Sequence, residues 1–243
     1  MPGTGIARHF LGRLEPHVRA HIDPHLEFVS LQTDQVLIAP DQPIEHVYFL
    51  RHGLATIACF GEGRQTSVGL IGPEAFAGHC LLLGRDRSNQ RTLMQAAGSA
   101  YRMRAADLKR LTDQEPSFKL ALLQCVDDLM QQFAEAAFAN AQLTVEARLA
   151  RLLLMATDRI GGNDLRFTHD RIALMLGCRR AGVTMSIHLL EGEHAIRATR
   201  AHITVLDHAR LREVAGSSYT YGVTEAPEGT IQIAPPPMQR IRS

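Results

Sequence analysis

The sequence predicts an α+β chain: an N-terminal β barrel, one long helix and a C-terminal winged helix-turn-helix. Three observations carry that prediction. Short apolar runs separated by turn residues fill 27–104. A heptad-spaced apolar stripe runs from Leu122 to Leu143. Residues 167–211 then read as helix, glycine turn, helix and hairpin. The implied division is 1–113 for the barrel domain, 114–160 for the helix, 161–216 for the winged module and 217–243 for a disordered tail.

The chain has 243 residues, 45% of them apolar, which suffices for one large domain or two ordinary ones. Its formal net charge is +1, so charge has to be read by region. From Glu146 to Gly216 there are eleven Arg, no Lys and eight acidic residues, a net +3 where a nucleic-acid-binding segment would sit. The four cysteines, Cys59, Cys80, Cys125 and Cys178, form no CxxC and no Cys/His pair at zinc spacing. They read as reduced thiols of a cytosolic protein. The N-terminus lacks a signal-peptide pattern, and no run approaches the about 18 apolar residues of a membrane span. A cytoplasmic protein without a membrane partner is expected.

Apolar residues at Ile6, Phe10, Leu14, Val18 and Ile22 have helical spacing, which predicts one or two short helices before the barrel. The runs EFVSL, QVLIA, HVYFL, LATIACF, TSVGLI, TLMQAA and SAYRM follow. Pro40–Pro43, His52-Gly53, Gly61–Gly63, Gly72-Pro73 and Ala97-Gly98 punctuate them, as in an all-β sandwich or barrel. The glycines after Phe60 suit a hairpin turn, since they can take positive φ.

A helical part starts at Ala105, and a long helix is predicted from about 117 to about 160. Leu122, Val126, Leu129, Phe133, Ala136, Asn140 and Leu143 recur at alternating steps of four and three, a heptad seam. Ala134, Ala136, Ala137, Ala139 and Ala141 would let a second helix approach closely. A parallel seam between two copies is expected, with Asn140 setting register. Gly161-Gly162 ends the helix. The tail holds Ala226-Pro227-Glu228-Gly229 and Ala234-Pro235-Pro236-Pro237 and has little to bury.

Thr168 is a suitable N-cap for a short helix carrying Ile172, Leu174 and Leu176. Gly177 supplies a turn. A second helix starts at Arg179 or Arg180 and has Val183, Ile187 and Leu190 on its apolar face. Arg180, Thr184, Met185 and His188 lie on the other. Residues 195–206 read as a hairpin wing carrying Arg197 and Arg200. This is the architecture that inserts a helix into the DNA major groove. Arg can donate twice to guanine, while Thr168, Arg179, Arg197 and Arg200 suit phosphate contacts.

The order of these parts resembles the Crp/Fnr regulators over about residues 10 to 215. The resemblance is carried by IEHVYFLRHG (44–53), VGLIGPEAFAG (68–78), VEARLARLLLMATDRIGG (145–162) and RIALMLGCRRAGVTMSIHLLEGEHAIRATRAHITVLD (171–207). It implies a cyclic-nucleotide-binding-like jelly roll and a homodimer on a two-fold symmetric double-stranded DNA site. RNA polymerase would be a further partner of an activator. It also implies that Arg180 reads a base. Ala181 and Met185 stand where cyclic-AMP-responsive members carry Glu and Arg, so a different operator is expected.

Cyclic-nucleotide-binding members carry a Gly-Glu pair and a later Arg-Ser or Arg-Thr pair, which hold ribose and phosphate. Here Gly78 is followed by His79. Arg91-Thr92 matches the later pair only if the loop is one residue longer; aligned backwards from Met94, Gln90 takes the arginine position. The cassette, Gly78, His79, Arg91 and Thr92, is therefore degraded, which disfavours a cyclic nucleotide and leaves the effector unknown. No cysteine precedes Cys59, so the N-terminal cysteines of an iron–sulfur sensor are missing. His79 and Cys80 would be haem ligands only if this pocket held haem. That alternative, a small-molecule or haem sensor barrel with effector-dependent DNA binding, stays open. Enzymes are disfavoured by the lack of GxSxG, P-loop, HExxH and Rossmann fingerprints.

Overall fold

The computed structural model describes residues 9–62, 64–216 and Tyr219. The expected tail, Ile6 and Gly63 lie outside the described residues, Tyr219 apart.

A 3-10 turn (Phe10–Arg13), helix α1 (Pro16–Ile22) and a second 3-10 turn lead into the barrel. Its strands are β1 (Glu27–Leu31), β2 (Val36–Ile38), β3 (His46–Gly61), β4 (Arg64–Ile71), β5 (Phe76–Ala77) and β6 (Arg91–Arg104). They form one antiparallel sheet in the order β1-β6-β3-β4, with β2 also on β6 and β5 on β3. Two of the expected turns are not turns. His52-Gly53 and Ala97-Gly98 face each other inside the long strands β3 and β6, where the register shifts between Leu50 and Ala55. A Cβ on Gly98 would collide with the His52 carbonyl oxygen. Two facing glycines thus let the backbones approach and bend together instead of reversing. At the β3–β4 hairpin Glu62 takes a positive φ of 50°, while Gly61 ends β3 as a strand residue.

Helix α2 (Ala105–Gln114) closes one end of the barrel and is followed by α3 (Pro116–Gln142) and α4 (Val145–Ile160). The single helix expected over 117–160 is therefore two. Leu143 is extended at φ −102° and ψ 150°, and Thr144 caps α4 by accepting from the Ala147 N–H. A side-chain cap satisfies an orphan donor and makes a restart at Thr144 favourable.

Helix α3 lies along the barrel. Leu122, Val126 and Leu129 are at most 6% exposed within this one chain. Phe133 packs above Gly69 of β4, so closely that a Cβ there would lie 2.6 Å from its ring. Gln132 donates to the Leu70 carbonyl at 3.1 Å and accepts from the Leu70 N–H, extending the β4 edge onto the helix. The stripe expected to pair two copies is thus covered within the chain as far as Phe133. Leu122 and Val126 pack with Phe10, Phe49 and Phe76, and Leu129 and Phe133 with Leu50 and Ile71, which removes their apolar surface from water. A second stripe stays exposed. Leu123, Asp127, Met130, Ala134, Ala137 and Ala141 follow at steps of four and three, beside Phe138 at 57% exposure.

The C-terminal module comprises β7 (Asp164–Leu165), α5 (His169–Leu176), α6 (Arg180–Gly192), β8 (Ile196–Thr199), β9 (His202–Val205) and α7 (His208–Ala215). Its sheet runs β7-β9-β8. Leu153, Phe167, Ile172, Val183, Ile187 and Leu190 are at most 1% exposed. Their core also takes in Leu54 and Leu70 of the barrel, so the two ends of the chain share apolar surface. Helix α7, absent from the sequence reading, is capped by Asp207 and packs on α4. Among the described residues, no helix is long and apolar enough to cross a membrane.

Candidate nucleic-acid interface

Helix α5 starts where its cap dictates. The Thr168 hydroxyl accepts from the Arg171 N–H at 3.1 Å, and Gly177 ends the helix at φ 61°. The left-handed conformation favours glycine. So does space, since a Cβ there would lie 2.6 Å from Thr66 Oγ1 of β4. Arg179 then enters α6 in an extended conformation without a side-chain cap. Val183, Ile187 and Leu190 turn inward, and the opposite face stays open.

On that open face, His169, Arg180, Ala181, Thr184, Met185 and His188 line one shallow concavity. The structure thus brings together the four residues expected to face bases: Arg180, Thr184, Met185 and His188. Met185 is 63% exposed, a large apolar side chain left to solvent. Arg180 Nε lies 3.5 Å from Asp170 Oδ1, with both side chains about two-thirds exposed. His188 Nδ1 lies 3.6 Å from Glu191, whose other oxygen accepts from the Ala198 N–H and so ties α6 to the wing. His169 and Asp170 were not singled out in the sequence. Their position directly after a capping threonine, opposite the start of α6, was the available signal.

The wing is the expected hairpin. Arg200-Ala201 form its turn, Ala201 has φ 58°, and Arg197 and Arg200 are exposed. Thr168 and Arg179 are exposed as well. Asp164 holds the wing's base: it accepts from Thr204 at 2.8 Å and pairs with His202 at 3.1 Å. Those hydrogen bonds hold its carboxyl below the usual range. Burial pushes the Cys178 thiol up, so this residue beside the turn is a protonated packing group.

In the barrel, Gly78 has φ 106°, and a Cβ there would lie 2.7 Å from Val47 Cγ1. His79 opens the 3-10 turn that follows. Burial holds its imidazole below the usual range, hence neutral, and its Nε2 lies 3.6 Å from Cys80 Sγ. Arg91 stacks its guanidinium on the Phe60 ring at 4.6 Å, near the hairpin end of β3. Thr92 is buried in β6 opposite Ile57. The four residues of the degraded cassette therefore sit on two elements, with Arg91 engaged on an aromatic face.

Comparison with known proteins gives the same two modules in the same order. Residues 28–115 match the cyclic nucleotide-binding domain, and residues 147–214 match the Crp-like helix-turn-helix domain. The chain is 29% identical over 203 residues to the transcriptional regulator SdrP of Thermus thermophilus, covering 79% of this chain and 95% of that one. In fold it resembles a CRP/FNR-family transcriptional regulator from Thermus thermophilus (TM-score 0.65, 23% identity, 78% of this chain and 98% of that one). It also resembles FixK2 from Bradyrhizobium japonicum (TM-score 0.68, 15% identity, 79% of this chain and 98% of that one). Between them the two domain matches span well over half of the chain. A β barrel, a bracing helix and a winged helix-turn-helix with a solvent-open α6 face have come together in one polypeptide, which belongs to the Crp/Fnr family of transcriptional regulators.

Proposed function

We propose that the protein binds double-stranded DNA as a homodimer at a two-fold symmetric site. The observation that carries this reading is the concavity on α6, where Arg180, Thr184, Met185 and His188 converge on one solvent-facing surface. Arg180 reads guanine through its guanidinium fork, and the other three contact neighbouring base edges. Thr168, Arg179, Arg197 and Arg200 flank that surface and hold phosphates, which sets the depth and angle of α6 in the groove.

Two copies pair along the exposed face of α3, through Leu123, Met130, Ala134, Ala137, Phe138 and Ala141. The alanines permit close helix approach, and Leu123, Met130 and Phe138 lose solvent-exposed apolar surface on pairing. Of the seam expected from the sequence, Ala136, Asn140 and Leu143 border this interface, while Leu122, Val126, Leu129 and Phe133 serve the barrel. A dimer of this kind sets its two α6 helices about 34 Å apart, one turn of the duplex.

The altered cassette at Gly78, His79, Arg91 and Thr92 disfavours a cyclic nucleotide as the barrel's signal and leaves the effector open, a small molecule or haem included. Leu129 and Phe133 pack at the barrel, and Arg91 lies on Phe60. An effector that acts there shifts the population of dimers competent for DNA. If the protein activates transcription, RNA polymerase is its further partner.

The test is binding to a pool of duplex DNA at increasing salt. A regulator that neutralises phosphates loses affinity linearly on a log–log plot through counterion release. Flat or absent binding across the titration would remove the DNA reading.

A further inference from the structure

The first turn of α5 touches the reading face of α6 at two consecutive residues. His169 Nδ1 lies 3.0 Å from Thr184 Oγ1. Thr184 Oγ1 lies 3.2 Å from the Arg180 carbonyl oxygen, to which it can donate. One residue on, Asp170 Oδ1 faces Arg180 Nε at 3.5 Å.

A hydroxyl has one proton and two lone pairs. The Arg180 carbonyl only accepts. The His169 ring nitrogen either donates to the Thr184 oxygen or takes its proton. If it donates, it occupies one lone pair and fixes the hydroxyl in the orientation whose proton points at the Arg180 carbonyl; without it the hydroxyl is free to turn its proton outward. If it accepts, the proton goes to the ring. Either way the proton is held within the protein, and lone pairs alone remain for a base.

We propose that His169 is a specificity-determining positioning residue: it makes Thr184 an acceptor-only reader, selecting a base with a major-groove amino group. Those bases are adenine, through N6, and cytosine, through N4. Guanine and thymine present acceptors to the same oxygen and are disfavoured. Asp170 plays the parallel part for Arg180. It engages Nε and leaves the two terminal nitrogens as a fork. The inference rests on the DNA reading above and adds to it which base chemistry one position takes, and why.

The experiment is selection from a pool of random-sequence duplexes with the full-length protein. Wild type is compared with His169→Phe, His169→Asn and Thr184→Val, and the melting temperature of each is recorded. The column flattened by Thr184→Val is the one Thr184 reads. In wild type that column should favour adenine or cytosine on the contacted strand. His169→Phe should flatten the same column by about threefold to tenfold, the worth of one hydrogen bond, and leave the guanine column intact. His169→Asn should retain the preference, because its amide donor stands as many bonds from Cα as Nδ1 does. If His169→Phe fails to fold, the base preference of the column that Thr184→Val flattens decides the matter. Three results overturn the inference: an unchanged column in His169→Phe, a uniform loss across all columns, or a wild-type preference for guanine or thymine under Thr184. A wild-type protein that selects no sequence at all is distinguishable from these, because it sinks the DNA reading itself and this inference with it.

Discussion

Arg171 Nη2 donates to Asp34 Oδ2 at 2.9 Å, joining residues 137 positions apart. The same guanidinium donates through Nη1 to Gln95 Oε1 at 2.9 Å, and Gln95 is 5% exposed. Asp34 and Gln95 belong to the barrel, and Arg171 to the first helix of the helix-turn-helix. This contact and the Gly177–Thr66 approach therefore hold the DNA-binding module against the barrel through α5, leaving α6 open to solvent.

Arg171→Ala should loosen that docking. It strands the buried Gln95 carbonyl, at a cost of about 1–3 kcal/mol. Hydrogen exchange should rise in α5 and around residues 32–36 and stay unchanged in β3. Uniform exchange across the chain would show that the contact does not restrain the module.

The two faces of α3 should answer differently to substitution. Met130→Glu puts a charge on the exposed stripe and should give monomers by sedimentation with the melting temperature little changed. Leu122→Ala should instead destabilise the fold by about 2–5 kcal/mol, as expected for a fully buried leucine. If Leu122→Ala gave stable monomers, the seam would lie on the face expected from the sequence.

Arg159 is buried on α4, with its side chain 1% exposed, and its Nε lies 2.8 Å from Glu74 Oε1 in the β4–β5 turn. Glu74→Ala removes the carboxylate at Nε and should cost about 1.5–3 kcal/mol in denaturant unfolding, the worth of a charge-assisted hydrogen bond. A loss below about 1 kcal/mol, the range of exposed pairs, would mean that water reaches the guanidinium.

Arg180→Ala should relax sequence preference and cost about 1–3 kcal/mol on the preferred site. An equal loss on every duplex would make Arg180 a phosphate contact. Thr168→Ala should lower stability by about 0.5–2 kcal/mol through the lost cap. If Thr168 also holds a phosphate, the variant should in addition bind all duplexes more weakly and show a shallower salt dependence.

The local parts of this protein were legible in its sequence because they depend on residues near one another in the chain. Thr168, Gly177 and the spacing of Val183, Ile187 and Leu190 suffice to mark two helices and the turn between them. Alternating apolar runs mark strands in the same way. The sequence therefore determined the order of barrel, helical part and winged module and the face of α6 that looks outward, though not the break at Thr144 or helix α7. What it left undecided depends on partners far along the chain. Helix α3 carries two stripes of the same period, and only the barrel and the N-terminal helices, packing on Leu122, Val126, Leu129 and Phe133, select which one is buried. Gly53 and Gly98 look like turn residues until β3 and β6 lie side by side, when the lack of a Cβ serves close approach instead of reversal. His169 meets Thr184 only because the Gly177 turn folds α5 back on α6. Tertiary structure made these choices, because burial and close approach belong to pairs of surfaces and are not properties of either segment alone.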